Sequence, residues 1–136
     1  MSTSLAAFKI AAAPTADAVV AIRHGIPASA FDGVAKVLSM TAEDLATMLG
    51  ISMRTVRDQR KKQVPLSREI SEKLVRTARI QALGRKLFTS DEAVATWLST
   101  PAPSLNGERP LALLDTEVGA REVEAVLLGL GHGNVL

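Results

Sequence analysis

The helix start signals in this chain recur so closely that they fit only a series of short helices. In a capping box, the side-chain oxygen of a Ser or Thr accepts a hydrogen bond from the N–H three residues later, often that of an acidic residue. Three pairs resemble this pattern: Ser29 with Asp32, Thr41 with Asp44, and Thr89 with Glu92. Aromatic residues, which favour strands, make up only 3% of the chain. We therefore predict an all-α fold.

Apolar residues at helical spacing predict where the helices lie. We expect a helix over 17–23 with Thr15 as its cap, a helix from Ser29, a helix pair within 42–61, a long helix over 67–88, a short one after Thr89, a turn begun by Pro110, and a last helix from about Thr116. The last helix should end among three alternate glycines, Gly129, Gly131 and Gly133. Residues 1–14 are rich in Ser, Thr and Ala, and we predict a flexible arm there.

Charge is unevenly distributed along the chain. Residues 51–90 carry 11 Lys and Arg against 3 Asp and Glu, whereas residues 91–136 carry 2 against 7. A formal net charge of only +2 therefore hides a basic middle and an acidic end. Such segregation is typical of a protein whose two segments meet two different partners, and a basic segment favours a polyanion.

The spacing of residues 42–61 is that of a helix-turn-helix. Ala46 is small where the two helices must approach, and Gly50 can adopt the left-handed conformation of the turn. Ser52 can cap the second helix. The inward residues are apolar: Leu45, Leu49, Ile51 and Val56. The alternative is an ordinary α-hairpin whose basic face is merely solvated.

If this segment binds DNA, the second helix supplies the contacts. Eight residues are predicted to lie at the DNA: Ser52, Met53, Arg54, Thr55, Arg57, Asp58, Lys61 and Lys62. Arg54 and Arg57 suit guanine or phosphate, and Met53 suits a thymine methyl group. Asp58 would accept from a cytosine amine or orient Arg57. Lys61, Lys62 and the neighbouring Arg60 would reach phosphates.

Gln59 departs from the helix-turn-helix pattern, because that position usually carries an aliphatic side chain that packs inward. The departure also leaves open that DNA reading depends on a bound partner.

No catalytic, metal-binding or cofactor-binding set is recognisable. The chain has no Cys, its two histidines, His24 and His132, stand far apart, and there is no glycine-rich phosphate loop. We therefore expect neither a metal ion nor a cofactor, and we do not expect an enzyme. The apolar stretch over 5–13 is interrupted by Lys9 and lacks a preceding basic residue, unlike a signal peptide. With no stretch long enough to span a membrane, we predict a cytoplasmic protein.

The C-terminal half resembles the toxin-binding domain of the Xre/MbcA/ParS antitoxins. The segments that carry this resemblance are Ser90-Asp91-Glu92-Ala93, Trp97-Leu98, Thr100-Pro101, Leu105-Asn106-Gly107, Arg109-Pro110-Leu111, Leu113-Leu114-Asp115-Thr116, Gly119 and Val123. Similarity extends upstream through the helix over 67–88 to about residue 15. The resemblance implies three regions: the arm over 1–14, a DNA-binding and dimerisation region over 15–88, and a toxin-binding domain over 89–136.

The resemblance also implies partners. Members of this family are dimeric, bind operator DNA to repress their own operon, and bind a toxin that resembles ADP-ribosyl transferases. The commonest partner is a RES toxin, which consumes NAD, although a ParT-like partner stays open. The antitoxin's C-terminal segment blocks the cleft of the toxin's active site. Here that segment would be residues 128–136.

The residues of this segment make such a plug plausible. Alternate glycines allow a narrow peptide to enter a cleft, and polar groups follow them. The predicted toxin-binding residues are Gly129, Gly131, His132, Gly133, Asn134 and Leu136, the last through its carboxylate. A frayed terminus that touches nothing is the alternative.

A stand-alone dimeric repressor is the second function that the residues allow. It would need the helix-turn-helix and a dimer face but no toxin, and the acidic end would only support dimerisation. For the dimer face we expect apolar residues of the long helix and of the helix that contains Trp97.

Overall fold

The computed structural model describes residues 4–131. Within that range the chain forms eight α-helices, two 3₁₀ helices and no strand. The α-helices are α1 (Ala6–Ala11), α2 (Thr15–His24), α3 (Ser29–Val37), α4 (Ala42–Leu49), α5 (Met53–Lys61), α6 (Arg68–Arg85), α7 (Asp91–Leu98) and α8 (Glu117–Gly131). The 3₁₀ helices are η1 (Pro103–Leu105) and η2 (Pro110–Asp115). The all-α prediction is confirmed.

Helix α6 lies at the centre of the fold. It packs against α1, α2, α3, α7, α8 and η2. Its buried residues are not confined to one stripe: Ile70, Leu74, Val75, Ala78, Ile80 and Gln81 are all buried. A helix that is apolar on several faces needs neighbours on several faces, which explains its central position.

One continuous hydrophobic core runs through the described residues. Phe31 of α3, Leu45 of α4, Leu98 of α7 and Leu127 of α8 all belong to it and are fully buried. The sequence motifs therefore lie on one packed body, and the boundary predicted near residue 88 falls just beyond the end of α6.

The N-terminal segment is more ordered than the flexible arm that the composition predicted. Residues Ala6–Ala11 form α1, which packs against α6 and α3 and buries Ala7 completely. Before it, the Ser4 N–H donates to the carbonyl of Ser29 at 3.2 Å. A composition rich in Ser, Thr and Ala predicts an arm, but the small alanine side chains let this helix lie close against its neighbours.

The helix start signals are partly corrected. Thr41 caps α4 as predicted, accepting from the Asp44 N–H at 3.1 Å. Ser29 makes no capping bond: it is the first residue of α3, and Ala28 occupies the cap position. Helix α7 is capped one residue later than predicted, by Ser90 rather than Thr89, with the Ala93 N–H as donor. Likewise Thr15 begins α2 without capping it.

The end of the chain also differs from its prediction. Helix α8 continues through Gly129 to Gly131, so these two glycines are helical rather than part of an extended tail. Burial of Val123 and Leu127 against the core supports the preceding turns, and Leu130 is partly buried. Tertiary packing thus offsets the low helix propensity of glycine, about 1 kcal/mol per residue. The predicted contacts at His132, Gly133, Asn134 and Leu136 lie outside the described residues.

No helix in the described part of the chain is both long enough and apolar enough to cross a membrane.

Candidate nucleic-acid interface and partner-binding end

Helices α4 and α5 form the helix pair that the spacing predicted. Gly50 joins them with φ +65°, the left-handed conformation that glycine adopts without steric cost. Ser52 caps α5 by accepting from the Thr55 N–H at 3.3 Å. Ala46 and Val56 are buried where the pair meets the core. The turn is therefore fixed by local chemistry and held by packing on both sides.

A lysine from α6 supports this turn. Lys73 Nζ donates to the carbonyl oxygens of Leu49, at 3.1 Å, and Gly50, at 3.4 Å. A cation at a helix C-terminus satisfies free carbonyls and interacts favourably with the helix dipole. Sequence reasoning missed this contact, because the partners lie 24 and 23 residues apart.

Two polar contacts hold the far end of α5. Gln59 Oε1 accepts from the Ser67 N–H at 3.2 Å, and Arg60 Nη2 lies 2.6 Å from Asp32 Oδ2. The Arg60 and Asp32 side chains are only 32% and 22% exposed. Arg60 therefore differs from the predicted phosphate contact: it ties α5 to α3. Gln59 stands where an aliphatic residue was expected, and its side chain forms a hydrogen bond with the residue that precedes α6.

Most of the predicted DNA contacts lie on the outward face of α5. Ser52, Arg54, Thr55, Arg57, Asp58, Lys61 and Lys62 are exposed. Met53 is only partly buried but packs against the core, so its side chain also serves the fold. Their roles in DNA reading stay predictions.

Arg57 is paired, although not with the residue suggested by sequence. Its Nη2 lies 3.3 Å from Glu43 Oε1, on the first turn of α4. Asp58 is in no ion pair among the described residues. The orienting carboxylate of Arg57 therefore comes from the neighbouring helix.

Other basic residues of the middle segment are neutralised by the acidic end of the same chain. Glu117 binds Arg76 Nε at 2.9 Å and Arg79 Nη2 at 3.1 Å, and Asp91 lies 3.2 Å from Arg85 Nε. Charge segregation along the sequence thus partly serves internal pairing. Six of the eleven basic residues over 51–90 make no ion pair within residues 4–131: Arg54, Lys61, Lys62, Arg68, Lys73 and Lys86. Three of them lie on α5 or directly after it.

The Glu117 cluster also changes the acidity of its carboxyl group. Burial raises the pKa of Glu117, but the hydrogen bond from Arg76 and the charge of Arg79 outweigh burial and leave that pKa below its ordinary value. Arg76 additionally donates from Nη1 to the Leu114 carbonyl at 3.1 Å. The cluster therefore joins α6, η2 and the first turn of α8.

The helices that carry the C-terminal resemblance meet beside the end of α6. Trp97 packs against Phe88 with ring centroids 6.1 Å apart, and its indole Nε1 is buried without a hydrogen-bond partner in the described part of the chain. Leu87 and Leu128 remain 39% and 48% exposed. Gly131 comes close to Leu87, since a Cβ built on the glycine would lie 3.4 Å from its Cδ2. The end of α8 is thus held near an exposed apolar surface.

Arg109 and Pro110 have structural roles in this region. Arg109 Nε donates to the Ser99 carbonyl at 3.0 Å, which links the start of η2 to the end of α7. Pro110 occupies the start of η2, as predicted. Among residues 4–131, no group of three or more His, Asp or Glu residues is placed to hold a metal ion.

Comparison with known families matches both halves. Residues 17–79 match the antitoxin Xre-like helix-turn-helix domain, and residues 83–133 match the antitoxin Xre/MbcA/ParS C-terminal toxin-binding domain. Helices α4 and α5 lie in the first match, and α7 and α8 lie in the second.

Three similar proteins carry antitoxin names. An antitoxin Xre of Yersinia enterocolitica is 31% identical over 85% of this chain and 78% of its own length. An antitoxin Xre of Pseudomonas putida is 31% identical over 61% of this chain and 52% of its own. A Prs ADP-ribosylating antitoxin of a Sphingobium species is 26% identical over 86% of this chain and 79% of its own. The chain therefore belongs to the Xre antitoxins of toxin–antitoxin systems, with a helix-turn-helix domain followed by an Xre/MbcA/ParS toxin-binding domain.

Proposed function

We propose that this antitoxin represses its own operon through α5 and neutralises a RES-type, NAD-consuming toxin through its C-terminal segment. It would act in the cytoplasm. The proposal of DNA binding rests on where the unpaired positive charges lie. Arg54, Lys61 and Lys62 are exposed and make no ion pair among the described residues, whereas most basic residues of α6 are paired.

This arrangement suits a duplex. The capped N-terminus of α5 would enter the major groove, and its C-terminal lysines would reach the phosphates. A domain match to Xre-like helix-turn-helix proteins supports the same reading. Ser52, Met53, Arg54, Thr55, Arg57, Asp58, Lys61 and Lys62 remain the proposed contact set.

The toxin half rests on the match over residues 83–133, which extends into the predicted tail. A relative whose name refers to ADP-ribosylation supports a partner of that chemical class, because RES toxins resemble ADP-ribosyl transferases. The proposed occluding residues are Gly129, Gly131, His132, Gly133, Asn134 and Leu136. Since α8 continues to Gly131, it would present the rest of this segment from a packed helix.

A truncation tests the toxin half. The adjacent open reading frame is induced alone, with the full antitoxin, and with a chain that ends at Gly131 and so keeps all of α8. We expect growth arrest with loss of cellular NAD, rescue by the full chain, and no rescue by the truncated one. Equal rescue by both chains would reject the plug. Arrest that the full chain cannot relieve would favour the stand-alone repressor.

A homodimer is part of the proposal, but α6 offers little apolar surface to the dimer face that we predict on the long helix and the helix that contains Trp97. Most apolar residues of α6 are buried in the chain's own core. Leu87, which follows the end of α6, is exposed. Val19 and Val20 of α2 are 39% and 67% exposed. A sedimentation measurement at micromolar concentration that gave a monomer would contradict the dimer.

A further inference from the structure

Glu43 is an acidic residue beside α5, the helix that we propose binds DNA, and its negative charge opposes that binding. It lies on the first turn of α4, beside the outward face of α5, and its side chain is 62% exposed. A carboxylate at a protein–DNA interface repels phosphates, so its presence needs a compensating role. Arg57 Nη2 at 3.3 Å is the charged group that it contacts.

The pair contributes little to folding. Arg57 is 60% exposed as well, and ion pairs between exposed side chains typically stabilise a protein by less than about 1 kcal/mol. What the contact does is restrict the guanidinium. An arginine without a partner samples many rotamers, whereas a carboxylate partner holds the guanidinium group in one orientation. Less side-chain entropy is then lost when the guanidinium binds a base.

We infer that Glu43 is a specificity-determining positioning residue, which orients Arg57 toward a base edge and weakens binding to DNA of any other sequence. This inference rests on the proposed DNA-binding function of α5. The carboxylate acts in two ways that reinforce each other. On the operator, the Glu43 carboxylate directs Arg57 at a guanine. On random DNA no base accepts from Arg57 in that orientation, so the carboxylate only repels the phosphates.

Asp44 provides a matched control. It is the next residue on the same helical turn, it is exposed, and it is in no ion pair among the described residues. Glu43→Gln and Asp44→Asn therefore remove the same formal charge from nearly the same place. Only the first removes the partner of Arg57.

The experiment measures binding to two labelled duplexes of equal length, one from directly upstream of the antitoxin's reading frame and one of scrambled sequence. Each variant is tested alone and co-purified with the product of the adjacent reading frame. Both substitutions should raise affinity for the scrambled duplex about three-fold, as expected for one charge some 7 Å from a phosphate in water. The ratio of upstream to scrambled affinity should fall by about five-fold or more for Glu43→Gln, and should stay unchanged for Asp44→Asn.

A double-mutant cycle tests whether the effect acts through Arg57. In an Arg57→Ala background, Glu43→Gln should leave the affinity ratio unaltered, because the oriented group is absent. Equal changes of the ratio in Glu43→Gln and Asp44→Asn, or an undiminished effect in the Arg57→Ala background, would overturn the inference. If the wild-type chain, alone and with its partner, binds both duplexes equally, the DNA-binding function itself fails and the inference fails with it. Unfolding midpoints of all variants show whether any loss comes from misfolding.

Discussion

At the scale of single residues, Gln59 is informative because its role depends on one hydrogen bond. The position faces inward and usually carries an aliphatic side chain, yet here Oε1 accepts from the N–H of Ser67, the residue whose hydroxyl oxygen caps α6. An amide oxygen at the end of α5 thereby fixes the connection that leads into the central helix. Polarity at this position does not argue against the helix-turn-helix.

Removing that acceptor should destabilise the protein. We expect Gln59→Ala to lower the free energy of unfolding by about 1 kcal/mol, since the Ser67 N–H loses its partner in a half-buried place. Gln59→Glu keeps an oxygen acceptor at the same reach and should cost less. Urea denaturation of the three proteins measures both, and equal losses in the two variants would contradict a role for the acceptor.

Arg54 is exposed near the start of α5 and makes no ion pair among the described residues, so its substitution separates DNA reading from folding. If it contacts a base, Arg54→Ala should weaken operator binding by about 1 to 3 kcal/mol and reduce discrimination. Fluorescence anisotropy against operator and random duplexes measures this. A uniform loss on both duplexes would make Arg54 a phosphate contact instead.

At the scale of elements, α3 and the segment before α1 cross at a glycine. A Cβ added to Gly33 would overlap the carbonyl oxygen of Ser4, whose N–H is bound to Ser29. Only glycine lets the backbone come so close. This crossing orders the N-terminal segment that composition alone described as an arm.

Gly33→Ala should therefore cost stability only while residue 4 is present. In the full chain we expect a loss of about 1 to 3 kcal/mol from the steric conflict. In a chain that lacks residues 1–4, the same substitution should be neutral or stabilising by up to about 1 kcal/mol, because alanine favours a helix. Thermal unfolding of the four proteins tests this, and an equal loss in both chains would place the conflict elsewhere.

The ion pairs of Glu117 join α6 to α8 and should make stability depend on pH. Because the pKa of Glu117 is lowered in the folded state, its contribution is present above the unfolded pKa, about 4.3, and is lost as pH falls through the folded pKa. Glu117→Gln should lower the free energy of unfolding by about 0.5 to 1 kcal/mol at pH 7, a modest value because the carboxylate is 43% exposed. The difference from wild type should vanish below the folded pKa.

Glu122 gives the control for that measurement. It lies on α8, is exposed, and makes no ion pair among residues 4–131, so Glu122→Gln removes the same charge without breaking a pair. Urea denaturation across the acidic range should give matching pH profiles for Glu122→Gln and wild type. If Glu122→Gln and Glu117→Gln changed the pH dependence of stability alike, the cause would be net charge rather than the contacts of Glu117 with Arg76 and Arg79.

At the scale of the whole molecule, the two matched domains share one core. Leu45 of α4 and Leu114 of η2 both belong to it, and α6 packs against elements of both halves. The toxin-binding domain therefore belongs to the same packed body as the helix-turn-helix.

A shared core predicts a single unfolding transition. Trp97 is the only Trp, so its fluorescence reports the C-terminal half, while far-UV circular dichroism reports every helix. We expect the two signals to coincide in urea. Leu45→Ala, which should cost about 2 to 5 kcal/mol, should shift the Trp97 transition as far as the helical one. Separate transitions would show that the halves unfold independently.

Residues and their spacing predicted the helices from α2 onward and the helix-turn-helix, because caps and helical periodicity act within a few residues. They did not predict α1, which packs against α6 and α3. Thr41, Gly50 and Ser52 occupy the local positions that their chemistry favours. The resemblance of the C-terminal segments likewise depends only on residues and spacing, and the family match confirms it.

Within residues 4–131, tertiary contacts rather than local sequence determine which charges are paired and that Ala6–Ala11 form a helix. Lys73 reaches the end of α4, Glu117 neutralises Arg76 and Arg79, and Glu43 turns out to be the partner of Arg57. These partners lie 14 to 41 residues apart in sequence. Local propensity cannot specify such pairs, because they form only where the packing of a common core brings distant helix faces together.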